Sequence, residues 1–308
     1  MISVLGRPPV LKSFAVYYGI DKVDQLKKFD LVIVSPLLNN KTIKELRKEN
    51  VLVVGYVSIS TIGNWEPWKE FVEEDMIIEK TELWKEVIVN TNDKRWQNII
   101  INRVVPYLLS KGFDGVFFDN LDIVDIYPEF KKGIVRIIQE VREKYKNLFI
   151  VVNRGFSIVD DIAPYIDAIL FECFATYYNF TAKRYEKWSG SDLEWILAIS
   201  KRLKNLSEKY GFLVLALGYA NLKDKRQLEE FMSYVNSLAK QFGFIPYITD
   251  IYLKEINLNY AKRSFKAKAE ENIQEYYQLQ CLILIILLIL FLALAALTLR
   301  KRFKSLQT

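Results

Sequence analysis

Histidine does not occur in this chain, and there are only two cysteines, Cys173 and Cys281. Those absences remove Ser-His-Asp hydrolysis, His-ligated zinc and Cys-x-x-Cys redox chemistry before any motif is sought. A disulfide is equally unpromising, because Cys281 opens a long apolar run while Cys173 follows an expected strand. Both read as free thiols. Neither GxGxxG nor GxxxxGK[ST] occurs, so no loop is offered to a phosphate or a dinucleotide. Without histidine or a clustered Asp/Asn loop there is no recognisable metal-ligand set, and no cofactor is expected. The net charge is +6, but Arg300, Lys301, Arg302 and Lys304 carry four of those charges. The rest of the chain is close to neutral, and with no aromatic-interleaved basic stripe a nucleic-acid partner is not expected. Met1 to Ser13 has neither a long apolar stretch nor a cleavage-like site, so it does not read as a signal peptide.

What is present is ample apolar material, 51% of 308 residues, arranged as short β-branched and aromatic runs alternating with longer helical patterns. That alternation predicts repeated β-α units around a parallel sheet. Eight strand-like runs are found: Phe14 to Tyr18, Leu31 to Val34, Val51 to Val57, Gly115 to Phe118, Phe149 to Val152, Ala168 to Phe171, Leu213 to Leu217 and Phe244 to Ile248. Trp96 to Leu109, Lys131 to Lys144 and Gln227 to Lys240 have the three- and four-residue apolar spacing of crossover helices. The expected fold is an α/β (β/α)8 TIM-type barrel over residues 1–253, with an open doubly-wound sheet as the alternative. A charged helical stalk is expected over 254–280. The run Cys281 to Leu299 matches a hydrocarbon core of ~30 Å at ~1.5 Å per residue, so a transmembrane helix in a lipid bilayer is expected there. Residues 300–308 form a basic tail, which favours a cytoplasmic C-terminus and an extracytoplasmic barrel. The lack of a signal-like start pulls the other way. Sequons at Asn40, Asn179 and Asn205 are compatible with an outside barrel.

In a parallel barrel the strand C-termini face the active site. Two carboxylates follow apolar runs there, Asp119 after DGVFF and Glu172 after AILF. Burial at the rim raises the pKa of one member and a nearby second charge splits the pair, as acid/base work requires. Asp122 is given a supporting role and Asp114, at the start of its strand, a structural one. Further strand-end or rim candidates for substrate binding are Tyr17, Tyr18, Ser58, Asn153, Arg154, Tyr219 and Asp250. Trp65 and Trp68 join them, since Gly63, Asn64 and Pro67 mark irregular chain around that pair. Sugars present hydroxyls to polar groups and C–H faces to rings, and this rim, with Tyr177 and Tyr178, offers both.

The ordered set AVYYGI, GYVSISTIGNWEPW, GFDGVFFDNLD, VNRGF, LALGYA and PYITDIYL resembles the endo-α-1,4-polygalactosaminidase-type glycoside hydrolases and related barrel proteins, over residues 14 to 253. The resemblance implies endo-hydrolysis of an amino-sugar polysaccharide by an Asp after strand four and a Glu about fifty residues later, positions held here by Asp119 and Glu172. Asp119 is assigned as nucleophile and Glu172 as acid/base, an assignment the sequence leaves reversible. The alternatives are a non-catalytic cell-surface carbohydrate-binding barrel and a membrane-docked cytoplasmic barrel enzyme of small-molecule metabolism.

Overall fold

All eight apolar runs form strands of one sheet: β1 (Phe14–Tyr17), β2 (Leu31–Val34), β3 (Leu52–Ser58), β4 (Gly115–Asp119), β5 (Phe149–Asn153), β6 (Ala168–Glu172), β7 (Leu213–Tyr219) and β8 (Ile245–Thr249). Each pairs in parallel with its neighbour in chain order. The computed structural model describes residues 11–81 and 86–262 together with Tyr276 and Gln280. The chain divides into two compact units, 1–262 and 263–308, and the nearly closed barrel belongs to the first. At the seam the Phe14 ring packs on Tyr247, centroids 5.4 Å apart, and the Tyr18 N–H donates to the Leu253 carbonyl at 2.9 Å.

Most strands run one or two residues further than their apolar pattern, because the ladder continues through the polar ends. Ser58 is in register with Asp119, Asn153 with Leu170, and Glu172 with Leu217. Six main helices cover the sheet: α1 (Asn40–Lys48), α2 (Lys94–Ile99), α3 (Val105–Lys111), α4 (Lys131–Lys144), α5 (Gly190–Tyr210) and α6 (Lys225–Phe242). The helix expected over Trp96 to Leu109 is broken into α2 and α3 by a π-helical turn at Ile100–Val104. Pro106, in the first turn of α3, has no N–H for the carbonyl four residues back, and the wider turn absorbs the mismatch.

At the opposite end of the barrel, aspartates at the feet of alternate strands brace their neighbours. Asp30 accepts the Ser13 N–H at 3.0 Å, Asp114 the Val53 N–H at 3.0 Å and Asp167 the Ile150 N–H at 2.7 Å. Asp114 also pairs with Arg47, and Asp167 with the buried Arg142.

Two insertions at the C-terminal end of the strands were not foreshadowed by the sequence. After β3 comes a three-stranded antiparallel sheet of Thr61–Gly63, Glu86–Val89 and Ile77–Lys80, and after β6 a hairpin of Thr176–Asn179 and Arg184–Lys187. The stretch expected as a stalk begins at Lys254. Residues 254–262 belong to the barrel unit, with Tyr260 buried against Tyr247 and the Lys262 N–H on the Lys28 carbonyl. Apart from Tyr276 and Gln280, the remainder of that stretch, the expected span Cys281 to Leu299 and the basic tail lie outside the described residues. Among the described residues no helix is long and apolar enough to cross a membrane.

Candidate active site

Side chains alternate across a strand, so each barrel strand sends every second residue into the barrel. Val16 and Tyr18, Phe117 and Asp119, Leu170 and Glu172, and Leu217 and Tyr219 all line one cleft of about 1070 Å3. In each case the lower residue is apolar and the upper one polar, which sets a ring of polar groups on an apolar floor.

At the centre is Asn153. Its one amide nitrogen donates to Asp119 Oδ1 at 2.8 Å and to Glu172 Oε2 at 2.6 Å. The two accepting oxygens can therefore be no further apart than those bonds laid end to end, about 5.4 Å. Asp119 Oδ1 also accepts the Asn120 N–H at 2.8 Å, and Glu172 Oε1 accepts the Tyr219 hydroxyl at 2.6 Å. Among the described residues no donor reaches Asp119 Oδ2.

The backbone turns sharply behind each of these residues. Asn120, Arg154 and Cys173, which directly follow Asp119, Asn153 and Glu172, have φ of 63°, 53° and 58°. Asparagine tolerates this left-handed region, whereas arginine and cysteine occupy it at a cost of about 1–2 kcal/mol each. Such strain collects where the surrounding structure overrides local preference to aim side chains.

Burial raises the Asp119 carboxyl to about 7, the nearby Glu172 adds to the rise, and the Asn153 and Asn120 donors oppose it. Asp119 therefore holds its proton to far higher pH than an ordinary carboxyl does. Burial first, then the two carboxylates, holds the Tyr18 phenol well above its usual value. Burial and Glu172 do the same to Tyr219. Asp122 is raised by burial, against the pull of Arg154, whose guanidinium is 3.5 Å away. Burial pushes the Cys173 thiol up to about 12, which leaves it unsuited to nucleophilic work.

Of the residues expected at the site, Asp119, Glu172, Tyr18, Trp65, Asp122, Asn153, Arg154 and Tyr219 line this cleft. Four do not. Tyr17 points to the opposite face from Tyr18, is buried, and donates to Asp21. Trp68 is buried beside Tyr107, so of the tryptophan pair only Trp65 reaches the cleft. Ser58 is fully buried and bonds to Thr61 and Asn120. Asp250 braces its own loop by accepting the N–H groups of Tyr252, Lys254 and Glu255. Sequence reasoning missed Tyr56, Glu86, Asn120, Trp188, Asp192 and Trp195, which also line the cleft. Asn120 had one visible signal, its place beside Asp119; Glu86 lies on an inserted sheet that no pattern announced.

A family model described as glycoside-hydrolase family GH114 matches residues 3–267. Among solved structures the chain is similar to the glycoside hydrolase domain of PelA from Pseudomonas aeruginosa, with 15% identity, a TM-score of 0.69, and coverage of 80% of this chain and 97% of that one. It is also similar to Ega3 of Aspergillus fumigatus, solved in complex with galactosamine, at 15% identity and a TM-score of 0.60 over 83% of this chain and 97% of that one. An α-galactosidase from Thermus thermophilus shares 11% identity and a TM-score of 0.56 over 86% of this chain and 61% of that one. At these identities the likeness is one of fold. No curated protein matches the chain.

Proposed function

Because this chain belongs to glycoside-hydrolase family GH114, we propose that it is an endo-acting glycosidase that cleaves an α-1,4-linked, galactosamine-containing polysaccharide with retention of configuration, using Asp119 and Glu172. The observation that carries the mechanism is the single Asn153 nitrogen bonded to both carboxylates. A separation of ~5 to 5.5 Å between the carboxyl groups suits a retaining enzyme, in which one carboxylate attacks the sugar directly, whereas inversion needs ~6.5 to 9.5 Å to admit a water. The substrate reading is supported by the sequence resemblance and by the galactosamine-bound relative of the same fold.

Asp119 is the nucleophile in this reading. Its Oδ1 is held by two N–H donors while Oδ2 is left open, so a lone pair can meet the anomeric carbon. As that bond forms, the glycosidic C–O bond breaks and its oxygen takes the proton from Glu172. A water then displaces Asp119 from the sugar and returns a proton to Glu172. Tyr219 suits this alternation, since a phenol can donate to Glu172 Oε1 when it is ionised and accept from it when it is protonated. In the free enzyme burial favours a proton on Asp119. In this mechanism it passes to Glu172 once the sugar places developing positive charge over Asp119.

Release of reducing ends from an α-1,4-galactosamine polymer by the full chain, beside Asp119→Asn and Glu172→Gln, tests the assignment. Both variants are expected to lose at least ~100-fold on the polymer. On an aryl glycoside with a good leaving group, which needs no acid, Glu172→Gln should recover its first step and Asp119→Asn should not. The opposite pattern would exchange the roles, and activity in either variant equal to the parent's would remove that residue from the mechanism. The barrel is further proposed to work outside the cytoplasm on a membrane anchor at 281–299, a reading supported by the apolar run and the basic tail. Membrane fractionation of the full chain against a chain ending at Lys262 tests it.

A further inference from the structure

We propose that Asn120 is a positioning residue for Asp119, held by a hydrogen-bond chain of fixed proton order that runs through Ser58 and Thr61 to Glu86. The inference rests on Asp119 being a catalytic carboxylate. Asn120 meets that carboxylate through its backbone N–H, and nearly every other polar atom of the residue is engaged. The Ser60 hydroxyl donates to its carbonyl at 2.9 Å, and Nδ2 lies 2.8 Å from Ser58 Oγ and 3.0 Å from Thr61 Oγ1.

The chain has one consistent direction. Thr61 donates its single hydroxyl proton to Glu86 Oε2, 2.7 Å away. The Ser58 proton, 2.7 Å from Thr61 Oγ1, then goes to Thr61. Each oxygen is left with two lone pairs: Ser58 accepts the Thr61 N–H at 3.0 Å and Asn120 Nδ2, and Thr61 accepts Ser58 and Asn120 Nδ2. Both hydroxyls thus present only lone pairs to the Asn120 side chain. An amide nitrogen satisfies them and a carboxylate cannot. With its side chain fixed this way, Asn120 is kept at φ 63°, where its N–H points at Asp119 Oδ1. Thr61 is outside the cleft lining, so a substitution there acts on catalysis only through its neighbours.

The test is Thr61→Val, which removes the hydroxyl with little change of shape, beside Thr61→Ser, which restores it. Asn120→Asp and Asn120→Asp with Glu86→Gln follow. Thr61→Val should lower kcat by on the order of tenfold or more with KM within about twofold, since a loosened carboxylate is misplaced rather than lost. Its alkaline limb of kcat/KM should move to higher pH, because the donor that holds down the Asp119 pKa is weakened. Thr61→Ser should return both to parental values. Asn120→Asp should be worse than Thr61→Val. Adding Glu86→Gln should partly rescue it, because the new amide donates to Thr61 and frees a hydroxyl proton for the carboxylate introduced by Asn120→Asp. Parental kcat and pH profile in Thr61→Val would overturn the inference, as would a fall in thermal stability and rate that Thr61→Ser does not reverse. Asp119→Asn is run alongside: if it stays active the catalytic reading itself fails, whereas an inactive Asp119→Asn with a fully active Thr61→Val defeats the positioning role alone.

Discussion

The raised carboxyl of Asp119 gives the cleft a pH dependence of definite sign. The proposed mechanism needs one proton on the pair, and with Asp119 raised to about 7 that proton leaves as the medium turns alkaline. A bell-shaped kcat/KM profile is expected, with its alkaline limb near neutrality and its optimum on the acid side. A rate that climbs steadily to pH 9 would contradict that requirement. Another buried carboxyl, Glu66, lies outside the cleft lining and affects stability. Burial raises it to about 8, the charge of Glu86 adds to the rise, and the Gly63 N–H on Oε1 opposes it. The folded state therefore keeps a proton that the unfolded chain releases above its ordinary 4.5. Stability from this group is fully present below that value and is lost as pH rises toward 8. Glu66→Gln should match the parent in Tm near pH 4.5 and exceed it at pH 8 by at least ~2 °C, as about 1 kcal/mol would give in a domain of this size. Individual side chains were also where the sequence was hardest to read. Tyr17 and Tyr18 both suit a strand end, and only one can face inward; Trp65 and Trp68 differ in the same manner.

Among the elements, the hairpin after β6 is tied to β7 at one point. The Tyr219 N–H donates to Thr176 Oγ1 at 3.0 Å, and this close approach depends on Gly218, where a Cβ would lie 2.5 Å from that oxygen. Gly218→Ala should cost about 1–3 kcal/mol by overpacking. It should also lower activity, because Tyr219 is displaced from Glu172; urea unfolding and polymer hydrolysis measured together check both. Parental stability would show that the hairpin shifts freely. The barrel strands were legible within a residue or two because a sheet covered on both faces needs nearly continuous apolar runs. The inserted strands were not. Ile77–Lys80 is mostly exposed and Arg184–Lys187 is charged at both ends, so neither carries a core pattern. The helix broken at Ile100–Val104 shows the converse case, in which a single proline outweighs good amphipathic spacing.

For the whole molecule, closure depends on the seam between β8 and β1. Tyr247 is fully buried there, with Phe14, Phe29 and Tyr260 around its ring at 5.4, 5.8 and 5.7 Å. Tyr247→Ala should cost about 3–5 kcal/mol, the range for deleting a large buried aromatic. The loss should appear as an earlier but still single unfolding transition, since every strand between β1 and β8 is paired on both sides; two separate transitions would mean the seam opens independently. By itself the sequence determined the eight barrel strands, the helices over Lys131 to Lys144 and Gln227 to Lys240, and the placing of two carboxylates at strand ends, because apolar periodicity and the polar residue that ends it are local properties. The tertiary structure alone decided which of two adjacent residues faces the barrel, and that one asparagine nitrogen joins Asp119 to Glu172. It also decided that Asn120, Arg154 and Cys173 adopt left-handed backbone behind the site. Those outcomes depend on pleat phase, on register with neighbouring strands and on barrel curvature, which arise only when segments distant in the chain are hydrogen-bonded side by side.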